Sequence, residues 1–386
     1  MNKKSAEVEG KVDAPEAPGT DTKKPRYSIL LLRPDATPPG GVVNYYRSVL
    51  HLISDEFAVR SLLVGRRRGL LSSKFLYPVR FLLDGIMLMS LLLTRRFDVC
   101  HLNPSMNAAA FYRDLVFAAV IAGLSSAKLL IFVRGWDDDF FKTLLASPLG
   151  KRCLKWFFLR ADLVLVLAST IKQELVDIGV PEDRVSVTHT TFDGALLRET
   201  EAPPSSDRFT FLFMSRLIRQ KGIAELIRAA AMLRDRGFSF RVVIAGSGPF
   251  AGEAKEEVMR AGLTGIVELP GYLRGVEKGG ALKGADAFVF PTYHGEGCPN
   301  CVLEAMAAGL PVISTTVGGI PDVMQPPAGG VLLDSVSADA VADAMQRFLE
   351  DPDECARLST ENERLAWAKF EANSVARYLE SVYRSL

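Results

Sequence analysis

The sequence predicts an α/β protein of two doubly wound domains, each built on a parallel sheet. Three observations carry that prediction. Twelve short runs rich in Val, Ile, Leu and Phe alternate with helix-patterned segments along almost the whole chain. Most of these runs are apolar throughout rather than at every second residue, as strands covered on both faces require. The polar, Pro-containing stretch "RETEAPPSSDR", residues 198–208, interrupts the alternation near the middle, and 386 residues is comfortable for two domains.

In order, the first half offers strands at "YSILLLR", "FAVRSLLVG", "FDVCHLN", "AKLLIFVRG", "ADLVLVLA" and "DRVSVTHT". The second half repeats the scheme with "FTFLFMS", "FRVVIAG", "IVELPG", "ADAFVFPT", "LPVISTT" and "GGVLLD". Strand–helix alternation of this kind describes two Rossmann-like domains, over residues 26–197 and 209–365, with 198–208 as linker. The final "LAWAKFEANSVARYLESVYRSL" reads as an amphipathic helical tail over 366–386 that sequence alone assigns to neither sheet. Residues 1–25 mix both charges with Pro, Gly and Ala and lack an apolar core, so a disordered tail is expected rather than an export signal.

Bulk properties narrow the function. A net charge of +1 excludes a whole-chain polyanion binder, so any basic surface is local. Five cysteines, an odd number in a chain of this size, do not make a disulfide framework, and the expected setting is the reducing cytosol. The longest apolar run, Phe81 to Leu93, falls short of the ~20 residues a bilayer needs, and it contains Asp84.

In open parallel sheets ligands bind beyond the carboxyl ends of the strands. After "FTFLFMS" comes "RLIRQKG", with Arg216, Arg219 and Lys221; after "FRVVIA" comes "GSGP"; after "IVELP" come Gly271 and Tyr272. After "ADAFVFPT" comes "YHGEGCPNCVLEAMAAG", and after "LPVISTT" comes "VGGIPD". Any parallel sheet has glycine and polar residues in its loops, but five agreeing loops put cations, open amides and carboxylates on one edge. Such an edge suits a diphosphate joined to sugars.

These residues resemble the family-4 retaining glycosyltransferases of the GT-B fold. "SRLIRQKG" matches that family's G-R-L-x-x-x-K-G with Ser215 in place of the first Gly, and "EGCPNCVLEAMAAGLPVISTTVGGIPD" matches its long glutamate motif. The likeness is strong from Phe209 to Pro352 and fainter back to Tyr27. It implies two Rossmann-like domains facing a central cleft, with a C-terminal helix able to cross back to the N-terminal domain. It also implies a UDP- or GDP-sugar donor, a hydroxyl acceptor on a glycan or lipid-linked glycan, retention of configuration and no metal cofactor.

The resemblance assigns roles. Arg216 and Lys221 would bind the donor diphosphate and neutralise charge growing on the leaving group. Glu296 would bind donor-sugar hydroxyls and Glu304 ribose hydroxyls, so the two carboxylates are clamps and not the flanking acid and base of a glycosidase. Pro299 suits a helix start, where the amides of Gly297, Cys298 and Asn300 would face phosphate or sugar oxygens. Tyr272 would border the nucleobase, and Gly41, with Gly40, matches a glycine loop near the donor phosphate. Cys298 and Cys301 could suggest zinc or a redox pair, but no second Cys or His pair accompanies them, so they are expected to replace small residues of the pattern.

The N-terminal half chooses the acceptor in this family. Where a His-Gly usually follows a strand, this chain has "FVRGWDDDF", with Arg134 before Gly135 and Trp136 after it. Arginine is no base at neutral pH, although in retaining enzymes of this fold the leaving phosphate oxygen is commonly proposed to take the acceptor proton. His101 and Asn103, ending "FDVCHLN", are the nearest cleft candidates from this half, and Asp137 to Asp139 are expected to open a helix. Between Arg60 and Arg96 eight basic residues face Asp84 alone, among many Leu and Met. A core helix with a solvated basic loop and a peripheral contact with an anionic membrane are both consistent with that pattern.

The expected protein is therefore a hexose-type transferase of bacterial surface polysaccharide or lipopolysaccharide assembly, cytoplasmic or peripheral on the inner membrane face. The rival is a catalytically silent subunit of the same fold, motivated by the missing histidine. A dinucleotide enzyme would need G-x-G-x-x-G after the first strand, and "LLLRPDATPPGGV" lacks it.

Overall fold

The computed structural model describes residues 25–35, 41–65, 74–204, 207–326 and 328–386. The tail expected at the N-terminus lies, up to residue 24, outside the described residues, as do Gly40 and Arg66 to Arg68.

The N-terminal domain runs β1 (Tyr27–Pro34), α1 (Gly41–Val49), β2 (Phe57–Val64), α2 (Tyr77–Thr94), β3 (Val99–Leu102), α3 (Ala108–Leu124), β4 (Lys128–Phe132), α4 (Asp138–Ala146), α5 (Pro148–Leu159), β5 (Leu163–Val166), α6 (Ser169–Asp177), β6 (Val185–Val187) and α7 (Gly194–Glu199). The C-terminal domain runs β7 (Phe209–Met214), α8 (Ile223–Asp235), β8 (Phe240–Ala245), α9 (Ala251–Arg260), β9 (Val267–Gly271), α10 (Gly275–Lys283), β10 (Ala287–Phe290), α11 (Asn300–Ala307), β11 (Val312–Thr315), α12 (Ile320–Val323), β12 (Gly330–Leu333) and α13 (Ala338–Glu350). Helices α14 (Pro352–Lys369) and α15 (Ala372–Ser385) close the chain.

Both sheets are six-stranded and wholly parallel, ordered β2-β1-β3-β4-β5-β6 and β12-β11-β10-β7-β8-β9. Central strands β3, β10 and β11 are buried at every residue, which is why their sequences are mostly apolar, with the polar His101, Ser314 and Thr315 buried among them. Strand order reverses between β1 and β3 in one sheet and between β7 and β10 in the other. The loops leaving these switch-point strands carry Gly41, Asn103, Arg216, Lys221 and Glu296.

The linker expected from residue 198 is shorter, because α7 holds Arg198 and Glu199. The tail expected over 366–386 is two helices, not one. Helix α14 stays on the C-terminal sheet: the buried Asn362 receives the Gly329 amide and donates to Leu310 O at 2.8 Å. The chain then breaks at Phe370, Glu371 caps α15 by accepting from Asn373 N at 2.8 Å, and α15 crosses to the N-terminal domain. There Glu380 accepts from Ser54 N at 2.7 Å, Arg384 pairs with Glu56 at 2.8 Å, and Tyr383 packs on Phe57.

Helix α2 is longer than the apolar run read from sequence, at 18 residues, and it is long and apolar enough to cross a membrane by length and composition. In the fold it is the crossover from β2 to β3, so both ends are tied to one sheet. Its polarity is inverted. Arg80, Asp84, Leu88 and Leu92 are buried against the domain, whereas Val79, Leu82, Ile86, Met89 and Leu93 form a stripe facing out, with Leu93 71% exposed. Asp84 is held inside by accepting from Gly65 N at 2.8 Å. The same layer adds exposed Val116 on α3 and Leu149 and Trp156 on α5, beside Arg95, Arg96 and Arg152.

Candidate active site

Lys221 ends a short turn after β7 and is 94% removed from solvent, since 6% of its surface remains exposed. It forms an ion pair with Glu296, which leaves β10 on the facing loop and also accepts from Thr292 Oγ1 at 3.3 Å. The ammonium lies 5.3 Å from the Phe290 ring centroid. Gly222 follows at φ 77°, and a Cβ there would overlap the Pro291 carbonyl. These contacts lock the two loops together at the sheet's switch point.

Arg216, at the mouth of the same loop, is exposed, and Arg219 pairs with Glu253 of α9. Glu304 sits one turn inside α11 and meets Lys278 of α10 at 2.6 Å, so a cation already occupies its carboxylate. Lys278 has no sequence signal that would have singled it out. Tyr272 is a rim residue, 61% exposed and stacked under Arg274 at 4.9 Å.

Pro299 stands at the cap of α11, directly before Asn300. Cys298 is buried, with Thr190 of the other domain donating to its carbonyl at 3.2 Å. Cys301 lies between the two glutamates; burial, with both carboxylates adding, pushes its thiol well up. Gly318, at φ 59°, lets the loop after β11 lie against Glu296, whose carbonyl a Cβ would overlap. Asp322, in α12 three residues after Gly319, accepts from Ser169 N of α6 at 2.8 Å across the domain gap.

A cavity of about 510 Å³ lies between the domains. Gly295, Glu296, Gly297 and Gly318 form one wall, and Arg134, Gly135, Trp136 and Glu174 the other. Arg134 follows β4, its amide donating to Pro104 O at 2.8 Å, and its guanidinium packs against the rings of Tyr45 at 4.1 Å and Phe132 at 4.3 Å. Burial pushes its pKa down, yet an arginine keeps its charge. Asp137 caps α4 by accepting from Phe140 N at 3.0 Å, with Asp138 and Asp139 in the first turn, as expected of an acidic helix start. Gly41 is the exposed first residue of α1.

His101 and Asn103 correct the sequence reading. Neither lines the cavity: His101 is fully buried and Asn103 nearly so, in the layer between β3, α1 and α15. Tyr46 donates to Asn103 Oδ1 at 2.6 Å, so its oxygen can only accept from His101 Nε2 at 3.3 Å. His101 Nδ1 then accepts from Tyr383 at 2.8 Å. The network assigns one neutral tautomer, and burial, with the Arg134 charge adding, pushes the imidazole down to about 3. The reason is topological: "CHL" is a central strand, and the returning α15 covers its end.

Residues 198–365 match the family of glycosyl transferases group 1, and residues 28–191 match the glycosyl transferase 4-like domain. The chain belongs to the family-4 glycosyltransferases. This glycosyltransferase is 28% identical over 294 residues to the "Putative colanic acid biosynthesis glycosyltransferase WcaL" of Escherichia coli, covering 75% of this chain and 70% of that protein. It is 27% identical over 196 residues to the amylovoran biosynthesis glycosyltransferase AmsK of Erwinia amylovora, covering 50% of this chain and 48% of that one. Among solved structures it superposes on Anabaena HepE in complex with UDP and glucose, with TM-score 0.67 and 17% identity over 93% of this chain and 100% of that chain. The lipopolysaccharide outer core galactosyltransferase WaaB gives TM-score 0.69 at 16% identity, over 93% of this chain and all of that one. At such identities the structures speak for the fold, which is GT-B.

Proposed function

We propose that this glycosyltransferase moves a sugar from a UDP- or GDP-linked donor to a hydroxyl of a glycan or lipid-linked glycan, with retention of configuration, in bacterial surface polysaccharide or lipopolysaccharide assembly. The observation that carries it is the Lys221–Glu296 pair, set at a sheet switch point, with Glu296 itself lining the interdomain cavity. Arg216 and Lys221 would stabilise the leaving diphosphate without a metal, Glu296 would hold the donor sugar and Glu304 the ribose. For Glu304 to do so, Lys278 must give way. No histidine borders the cavity among the described residues, and in this reading the departing phosphate oxygen takes the proton of the acceptor hydroxyl. Release of nucleoside diphosphate from a panel of UDP- and GDP-sugars, with and without glycan acceptors, tests this. Absence of release from every donor would favour the second reading, a silent partner-binding subunit, which the Arg134 substitution for histidine motivates.

The acceptor would be met at the inner membrane face. The outward Leu and Met stripe of α2, continued on α3 and α5 and edged by Arg95, Arg96 and Arg152, combines apolar area with cations, the pairing that binds an anionic bilayer. Exposed apolar patches of this extent are rare on monomers that dock to nothing.

A further inference from the structure

Arg134 is a buried cation with no anion. Its Nε and Nη1 are shielded from solvent and have no hydrogen-bond partner, and 91% of the residue is buried, since 9% remains exposed. The titratable groups acting on it are Tyr45, Tyr46 and Cys298, all neutral near pH 7, and no carboxylate is among them. Of the carboxylates lining the cavity, Glu296 is already taken by Lys221, and neither Asp138 nor Glu174 pairs with Arg134. Buried charges in proteins are normally paired or hydrogen-bonded, so an orphan bordering a ligand-sized cavity points to an anion that arrives with the ligand.

Geometry narrows the anion. The rings of Tyr45 and Phe132 lie 4.1 and 4.3 Å from the guanidinium and take no hydrogen bond from it, so Nε and Nη1 keep no partner in the protein. A guanidinium edge matches the two oxygens of a carboxylate. The diphosphate has its own cations, Arg216 and Lys221, at the end of β7 in the other domain. Arg134 instead shares its cavity with Glu296 and Gly297, where the donor sugar would sit. We propose that the donor sugar is acidic, a nucleotide-linked uronic acid, and that Arg134 receives its carboxylate. This rests on the glycosyltransferase function proposed above.

The test is equilibrium binding, by titration calorimetry, of UDP, UDP-glucose and UDP-glucuronate, and of GDP, GDP-mannose and GDP-mannuronate, to the full chain and to Arg134→Gln. The expected result is at least tenfold tighter binding of one uronate donor than of its neutral partner. Arg134→Gln should bring that ratio near one while leaving affinity for the free nucleoside diphosphate within about twofold. Should the glutamine variant not fold, Arg134→Lys, which keeps the charge and loses the fork, should narrow the ratio. Equal or weaker binding of both uronates by the natural chain overturns the proposal. So does a loss of free nucleoside diphosphate affinity in the variant as large as the loss for the uronate, which would assign Arg134 to the diphosphate. Failure of every nucleotide and nucleotide sugar to bind overturns instead the glycosyltransferase function on which the proposal rests.

Discussion

Ser169 and Asp322 join the two domains by one hydrogen bond: the carboxylate of the C-terminal domain accepts, at 2.8 Å, from the first amide of α6 in the N-terminal domain. The residue before Ser169, Ala168, has no side chain able to cap, so the cap is supplied in trans. Asp322→Ala should therefore remove a helix cap and lower stability by about 1 kcal/mol. It should also loosen the domain pair and raise the donor KM. Urea denaturation together with donor titration checks this; unchanged stability and KM would mean the contact is idle.

Lys221 and Glu296 neutralise each other in a nearly dry site, with side chains 8% and 13% exposed. Removing either leaves an uncompensated charge, and Lys221→Ala or Glu296→Gln should each lower kcat about 100- to 1,000-fold, the scale for losing one transition-state donor. The pair works as a unit, so the double variant should cost little more than either single one. Strictly multiplicative losses in the four-enzyme cycle would contradict that coupling.

Much of this architecture is legible in sequence, and the exceptions have physical causes. All twelve strands appear where the sequence runs predict them, most clearly in the central strands, where burial on both faces favours apolar residues at successive positions. The Lys221, Glu296 and Glu304 loops are local sequence features placed by the sheet. What sequence could not supply is whatever depends on a distant element. His101 reads as a cleft residue in sequence because Tyr383 of the covering helix α15 lies 282 positions later. Lys278 and Asp322 act only through partners brought together by folding. In α2 the pattern was visible and its sense was not, since periodicity gives a stripe without saying which side faces water.

His101 also predicts a pH effect of definite sign. Its folded-state value of about 3 lies below the ordinary imidazole value near 6.5, so between these the unfolded chain binds the extra proton. The stability due to neutral His101 is complete above about pH 6.5 and falls as pH drops toward 3, at up to ~1.4 kcal/mol per pH unit. His189, lowered to about 4 by burial and the Lys369 charge, acts in the same direction over a narrower window. His101→Gln keeps a group able to bond Tyr46 and Tyr383 but cannot titrate. Its stability difference from the natural chain should shift in its favour between pH 7 and pH 5, measured by urea denaturation at each pH. A difference independent of pH would mean the imidazole is not held neutral.

The outward face of α2 gives the last prediction. Leu82 is 62% exposed and Leu93 71%, about three turns apart on one line of a helix whose opposite face already packs the domain. A glutamate at either site disturbs no core contact, so folding should be untouched. On a bilayer the same change removes a buried leucine, an effect of about 1.5–3 kcal/mol, and adds repulsion from anionic headgroups. Leu82→Glu with Leu93→Glu should thus abolish co-flotation with vesicles containing phosphatidylglycerol. Donor hydrolysis in solution should be unchanged, because both residues lie outside the cavity between the domains. Binding of the natural chain should weaken with salt through Arg95 and Arg96. Salt-independent binding to neutral vesicles would remove the role given to the arginines, and a natural chain that floats with no vesicle but dimerises would make this face a contact between copies.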